Sequence, residues 1–243
     1  MNKNISPFPL PNLEFETILQ VLKGLTDPAA IAEMERFGIN SEKALGIHYT
    51  CLYEIAKSIG KNHPLAIQLW ETGIHEARIL AAYIEDPAMI DEKQMDEWTQ
   101  GFNSWDVCDL VTSELFDRTP FAYEKVFEYS QAQPEFVKRT GFVLIAALCV
   151  HDKSAPDEKF IQFLPVIQRE AVDERNFVKK AVNWALRSIG KRNLTLNEKA
   201  IETTRIIHAM DSRSARWIAT DAQRELTSEK IQQRLLKQAA RGK

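Results

Sequence analysis

Glycine is scarce in this chain, at nine residues in 243, and none of the nine sits in a phosphate-cradling loop. That removes the P-loop and the dinucleotide fingerprint, and no Ser-centred nucleophile elbow occurs either. The five histidines (His48, His63, His75, His151 and His208) form no metal-binding pair. His48 and Cys51 share a helix face without further ligands, so packing explains them better than a metal does. The three cysteines, Cys51, Cys108 and Cys149, have neither metal-like nor redox spacing and read as reduced, mostly buried thiols of a cytosolic protein. The opening Met1-Asn-Lys-Asn-Ile-Ser lacks the apolar core of a signal peptide, and no apolar run approaches membrane-spanning length. Strand-type alternation, low-complexity segments and long flexible linkers are also absent. These absences argue against ester hydrolysis, nucleotide-driven chemistry, a metal site and a membrane partner.

What is present is repetition. Phe136-Val-Lys138-Arg139 runs into a small, apolar helix, and Phe177-Val-Lys179-Lys180 does so again about 40 residues later. A weaker echo, Arg216-Trp217-Ile-Ala, follows at a similar step. A period near 40 is that of HEAT-type helical repeats, whose helix pairs bury their apolar faces only by stacking. The expected fold is therefore all-α, a curved right-handed α-solenoid, with one domain over 14–243 after an irregular lead-in at 1–13.

Helix signals follow one another along the chain. They predict helices over 14–24, from Asp27-Pro28 to about Gly38, from about Ser41 to Gly60, over 65–72 and over 74–85. Further helices are expected from Asp91 to about Thr99, from Trp105 to about Phe116, from Pro120 to about Gln133, and over 136–151, 157–172, 175–190, 197–210, 213–225 and 228–240. Asp27 before Pro28 is an N-cap followed by a proline where no N–H is needed.

Charge is divided unevenly. Residues 1–135 hold 10 Lys and Arg against 22 Asp and Glu, net −12; residues 136–243 hold 21 against 12, net +9. A basic half suits a polyanion, although uneven solvated helix faces would produce the same count.

Trp105 and Asp109 lie four apart, one helical turn, and Trp184 and Arg187 lie three apart. Indoles attract planar cations, a carboxylate stabilises positive charge developing at a sugar carbon, and arginines clamp phosphates. Lys138, Lys179, Lys180, Arg213 and Arg216 are further candidates for phosphate contact. The plain alternatives are packed indoles, structural ion pairs for Asp109, Arg139 and Arg187, and an early-helix role for Asp106 beside the positive helix end. Spacing alone leaves the choice open.

Ser104-Trp-Asp-Val-Cys-Asp109, Phe136-Val-Lys-Arg139 and Phe177-Val-Lys-Lys-Ala-Val-Asn-Trp184-Ala-Leu-Arg187 resemble the DNA alkylation repair family of HEAT-like repeat DNA glycosylases. The resemblance covers roughly residues 14–240. It implies a monofunctional N-glycosylase that removes cationic alkylpurines from duplex DNA without flipping the base into a pocket. It assigns the catalytic aspartate to Asp109, the groove tryptophans to Trp105 and Trp184, and the arginines beside the lesion backbone to Arg139 and Arg187. It implies no metal and no organic cofactor. The expected protein is a monomer in a bacterial cytoplasm. Two other readings stay open: a relative that binds damaged or branched DNA without excision, and a HEAT-type protein scaffold.

Overall fold

The computed structural model describes residues 14–241, so the lead-in expected at 1–13 lies outside the described residues. The chain divides after Thr119 into two compact units. Among the described residues there are helices and connections and no strands.

The first unit holds α1 (Phe15–Gly24), α2 (Pro28–Arg36), α3 (Tyr49–Ile59), α4 (His63–Glu71), α5 (His75–Ile84), α6 (Glu92–Gln100), α7 (Trp105–Glu114) and a short 3-10 turn, Phe116–Arg118. Capping fixes three helix starts, two of them (after Asp27 and Asp91) where the sequence predicts and one, at His63, two residues before the expected 65. The Asp27 carboxylate accepts the N–H groups of Ala29 and Ala30, Asn62 caps Leu65, and Asp91 caps Gln94. The central helix is α5, packed against α3, α4 and α7, with Ala77, Ile79, Leu80, Ala81, Ala82 and Ile84 fully buried. No helix of the described chain is long and apolar enough to cross a membrane.

The helix expected from Ser41 does not form there. Residues 41–48 run as an irregular strap, and α3 begins at Tyr49. The reason is the buried Glu76 carboxylate on α5, which accepts the backbone N–H groups of Leu45, Gly46 and Ile47. Those donors are spent on a side chain, so no helical ladder can use them. Gly46 takes φ +76°, and a Cβ there would stand 2.3 Å from the Asp27 carbonyl oxygen, so only glycine fits.

The second unit, from Pro120, holds α8 (Ala122–Tyr129), α9 (Glu135–His151), α10 (Glu158–Ile161), α11 (Leu164–Glu170), α12 (Asn176–Gly190), α13 (Leu194–His208), α14 (Arg213–Leu226) and α15 (Glu229–Arg241). The helix expected over 157–172 is two, α10 and α11. Pro165, at the start of α11, lacks an N–H and cannot continue a helix from α10.

Helices α9, α12 and α14 carry the repeated segments, and α12 packs against both others. Between α12 and α14 the register is explicit. Lys179 lies over the Trp217 ring, Asn183 donates to Asp221, and Arg187 pairs with Glu225, three rungs each 38 residues apart in sequence. Rungs spaced four residues on both helices, in the same order, mean that the two run parallel with one stripe facing the other. Between α9 and α12 the step is 41: the Phe136 and Phe177 rings meet at 5.6 Å.

Close approach within this unit depends on small residues. A Cβ on Gly141 of α9 would stand 2.6 Å from the backbone nitrogen of Ser130, at the end of α8. Gly141→Ala should therefore destabilise the protein by about 1–3 kcal/mol. A urea denaturation midpoint equal to wild type would show that α8 and α9 do not pack this closely.

Candidate nucleic-acid interface

The candidate residues fall in both units. In the first unit, α7 starts at Trp105 with Ser104 as its N-cap residue. The half-buried indole of Trp105 donates its Nε1–H to the Phe37 carbonyl at 3.1 Å, which ties the ring to the end of α2. Asp109, also half-buried, follows one turn later on α7.

Asp106, read from sequence as an early-helix carboxylate, is buried and has a larger role. It accepts the Tyr49 hydroxyl at 2.6 Å and the Ser104 hydroxyl, and it lies 3.0 Å from His75 Nε2. Burial pushes this carboxyl up. The hydrogen bonds from His75, Ser104 and Tyr49 and the His75 charge outweigh burial and hold it below the ordinary carboxylate range. The Tyr49 phenol is raised, first by burial and then by the Asp106 charge. This cluster fastens the first turn of α7 to α3 and α5, and so orients the helix that bears Trp105 and Asp109. Beside it opens an apolar pocket of about 290 Å3, lined by Met34, Phe37, Ile47, Tyr49 and His75 among others.

In the second unit, Lys180, Trp184 and Arg187 lie at i, i+4 and i+7 on α12, and Lys191 continues the stripe at i+11. Lys180 is exposed; Trp184 and Arg187 are half-buried. Arg187 pairs with Glu225 at 2.5 Å and Lys191 pairs with the same carboxylate at 2.8 Å. Burial raises the Glu225 carboxyl, but the hydrogen bonds from Lys191 and Arg187 bring it below its usual range. Arg187 would thus have to exchange a carboxylate for a phosphate. Lys179, Arg213 and Arg216 stand around Trp217, whose indole is 41% exposed; Arg213 is exposed, and exposed Arg216 has Asp211 at 3.4 Å.

Two candidates lie deeper than spacing suggests. Arg139 is buried, and its guanidinium donates to the Phe177 carbonyl on α12. Lys138 is buried with Glu170 at 2.6 Å and Asp173 at 3.5 Å, so its ammonium points into the unit rather than toward solvent. Trp217 is an exposed indole that sequence reading saw only as part of an echo. The Tyr49, His75 and Glu76 contacts had no local signal at all, because their partners lie 29 to 57 residues away. Among the described residues no cluster of His, Cys, Asp and Glu could hold a metal ion, and none of the three cysteines is in a disulfide.

Comparison with known proteins agrees with this architecture. The family model described as DNA alkylation repair enzyme matches residues 18–226. No curated protein matches the chain. A solved structure from work on a new family of proteins related to the HEAT-like repeat DNA glycosylases, with affinity for branched DNA structures, superposes with a TM-score of 0.72 at 21% identity. The match covers 88% of this chain and 95% of that one. At that identity the likeness establishes the fold, which is HEAT-like and all-α.

The Asp106 cluster makes a prediction of its own. A carboxyl whose folded value lies below its unfolded value of about 3.9 stabilises the fold above that pH, and the contribution is lost as pH falls through the folded value. Asp106→Asn should cost about 1–3 kcal/mol near neutrality and flatten the loss of stability below about pH 4. Urea melts from pH 3 to 7 check both; parallel curves for variant and wild type would count against the cluster.

Proposed function

The chain belongs to the DNA alkylation repair enzyme family, and from that premise we propose that it is a DNA N-glycosylase. Its substrates are duplex DNA bearing positively charged purines of the N3-methyladenine and N7-methylguanine type. The observation that carries this reading is on α7. Asp109 is a half-buried carboxylate one turn beyond an indole that a backbone hydrogen bond holds in place.

The chemistry asks little of the protein. A purine alkylated at N3 or N7 already carries positive charge. When the N-glycosyl bond breaks, its electron pair passes to the base and neutralises it. Positive charge then develops on the sugar, where Asp109 stabilises it electrostatically. The faces of Trp105 and Trp184 provide electron-rich surfaces for cationic rings. Water adds at the sugar carbon and loses a proton, which leaves an abasic site. No base-flipping pocket is needed if the base departs as a neutral leaving group, unlike most enzymes that act on bases. Exposed Lys180, Arg213 and Arg216, with half-buried Lys179 over the Trp217 ring, supply cations for phosphates, while Arg139 and Arg187 are held by Phe177 and Glu225. The reaction calls for no metal or organic cofactor.

A second reading is binding without excision. The solved relative described as having affinity for branched DNA structures favours it.

The deciding assay uses a duplex with one N7-methylguanine. Wild type should release free base, and Asp109→Asn should release it about 10²–10³-fold more slowly while binding the duplex within about twofold of wild type. Excision by the variant at the wild-type rate would sink the mechanism. If wild type binds the duplex without releasing base, the second reading takes its place and predicts tighter binding of a four-way junction than of a linear duplex. Separately, Lys179→Glu with Lys180→Glu should weaken duplex binding and reduce its salt slope by about 2, measured by fluorescence anisotropy between 50 and 200 mM salt.

A further inference from the structure

The stripe Lys180, Trp184, Arg187, Lys191 does not stop at the end of α12. Lys191 opens into a polar cleft of about 510 Å3 whose lining includes Lys153, Asp157, Arg192 and Arg234. The cleft sits where α9 and α12 both end, so two helix C-termini aim carbonyl groups toward it. Capping those carbonyls accounts for two of the cations. Arg192 donates to the carbonyls of Cys149 and Ala155, and Arg234 donates to that of Lys191.

Capping does not account for the rest. Lys153 is exposed on the turn after α9 and has no side-chain partner among the described residues. On α15, Lys230, Arg234, Lys237 and Arg241 follow at spacings of four, three and four, which is one face of a helix. Ile231 and Leu235 of the same helix are buried, so the cationic face looks outward. Lys230 and Lys237 also have no side-chain partner among the described residues, and they line a second depression that shares Arg234 with the first. Two carboxylates belong to these depressions, Asp157, which accepts from Asn193, and Glu229, which accepts from Gln233. They do not balance the six cations of the two linings. Side chains one turn apart on a helix stand about 5–6 Å from each other, so the row is regular enough to meet successive phosphates.

We propose that this cleft and the outward face of α15 bind the phosphodiester backbone of DNA, extending the α12 stripe past the end of that helix. From Lys180 to Lys191 the rise is about 16 Å at 1.5 Å per residue, so the added contacts fall on backbone well away from the indole of Trp184. The inference rests on the DNA-binding part of the proposed function. It adds a site that the family match does not reach, since that match ends at residue 226 and α15 begins at Glu229.

The test is a variant with Lys153→Glu, Lys230→Glu and Lys237→Glu, three exposed positions whose side chains hold no bond among the described residues. Its control carries the same charge reversals at Lys159, Lys199 and Arg205, exposed residues of α10 and α13. Binding of a 25-base-pair duplex is followed by anisotropy from 50 to 200 mM salt, with circular dichroism confirming that both variants are folded. The cleft variant should lose at least tenfold in affinity, and its salt slope should fall by about 2–3 relative to the control. Equal losses in the two variants, or none in the cleft variant while Lys179→Glu with Lys180→Glu weakens binding, would overturn the site and leave the proposed function standing. Wild type that binds no DNA would overturn both. Inorganic polyphosphate serves as competitor: displacement of the duplex at lower phosphate concentration than unlabelled DNA would assign the cleft to free polyphosphate instead.

Discussion

The parallel register of α12 against α14 is the constraint on which the second unit rests. Neither helix could bury its apolar face alone: Val178, Ala181, Val182, Ala185, Leu186 and Ile189 of α12 are all fully buried, as are Ala215, Ile218, Ala219 and Ala222 of α14. Apolar burial supplies the driving force but is indifferent to sliding by a turn. The polar rungs are not. Slipping α14 by one turn would leave the Asn183 amide, Asp221, Arg187 and Glu225 without their partners in a half-buried seam, at a cost per unpaired group comparable to a lost hydrogen bond. The ladder therefore selects one register, and in doing so holds Arg187 and Lys191 on Glu225 of α14, in line with Trp184 along α12.

The first unit solves a related problem with buried acids. Its composition is strongly acidic, yet Glu76, Glu85 and Asp106 face inward, each surrounded by donors. Glu76 takes three backbone N–H groups, Glu85 takes Gln94 and the Asp86 amide beside His63, and Asp106 takes Tyr49, Ser104 and His75. A buried carboxylate with this many donors is a rigid fastener, because removing any one partner exposes the cost of burying the charge. Part of the negative charge of this half is therefore structural and does not face a polyanion.

How much of this was legible beforehand differs by element. The caps at Asp27 and Asp91 could be read directly, since an N-cap acts on residues two or three positions away. The echo of Phe136-Val with Phe177-Val pointed to stacked helices, and those two rings do meet. The strap at 41–48 was read as helix because its own residues permit one; a carboxylate some 30 residues away overrides them. Lys138 and Lys179 occupy the same place in the two echoes, yet one is buried among acids and the other lies over an exposed indole. A cation looks the same in sequence whether its destination is Glu170 or solvent.

By itself, the sequence determined where capped helices such as those after Asp27 and Asp91 begin, which residues recur at a 40-residue step, and that Trp105 and Asp109 share one face, as do Trp184 and Arg187. Each of these follows from interactions within a few residues or from the helical period. Tertiary structure decided which charges are spent. It turned Asp106 from a helix-end carboxylate into the anchor of α7, committed Lys138 to the interior, tied Arg187 to Glu225, and left Lys153, Lys230 and Lys237 without side-chain partners among the described residues, in two depressions that share Arg234. Those outcomes depend on which side chains of distant helices come within about 3–4 Å, a distance that only packing sets.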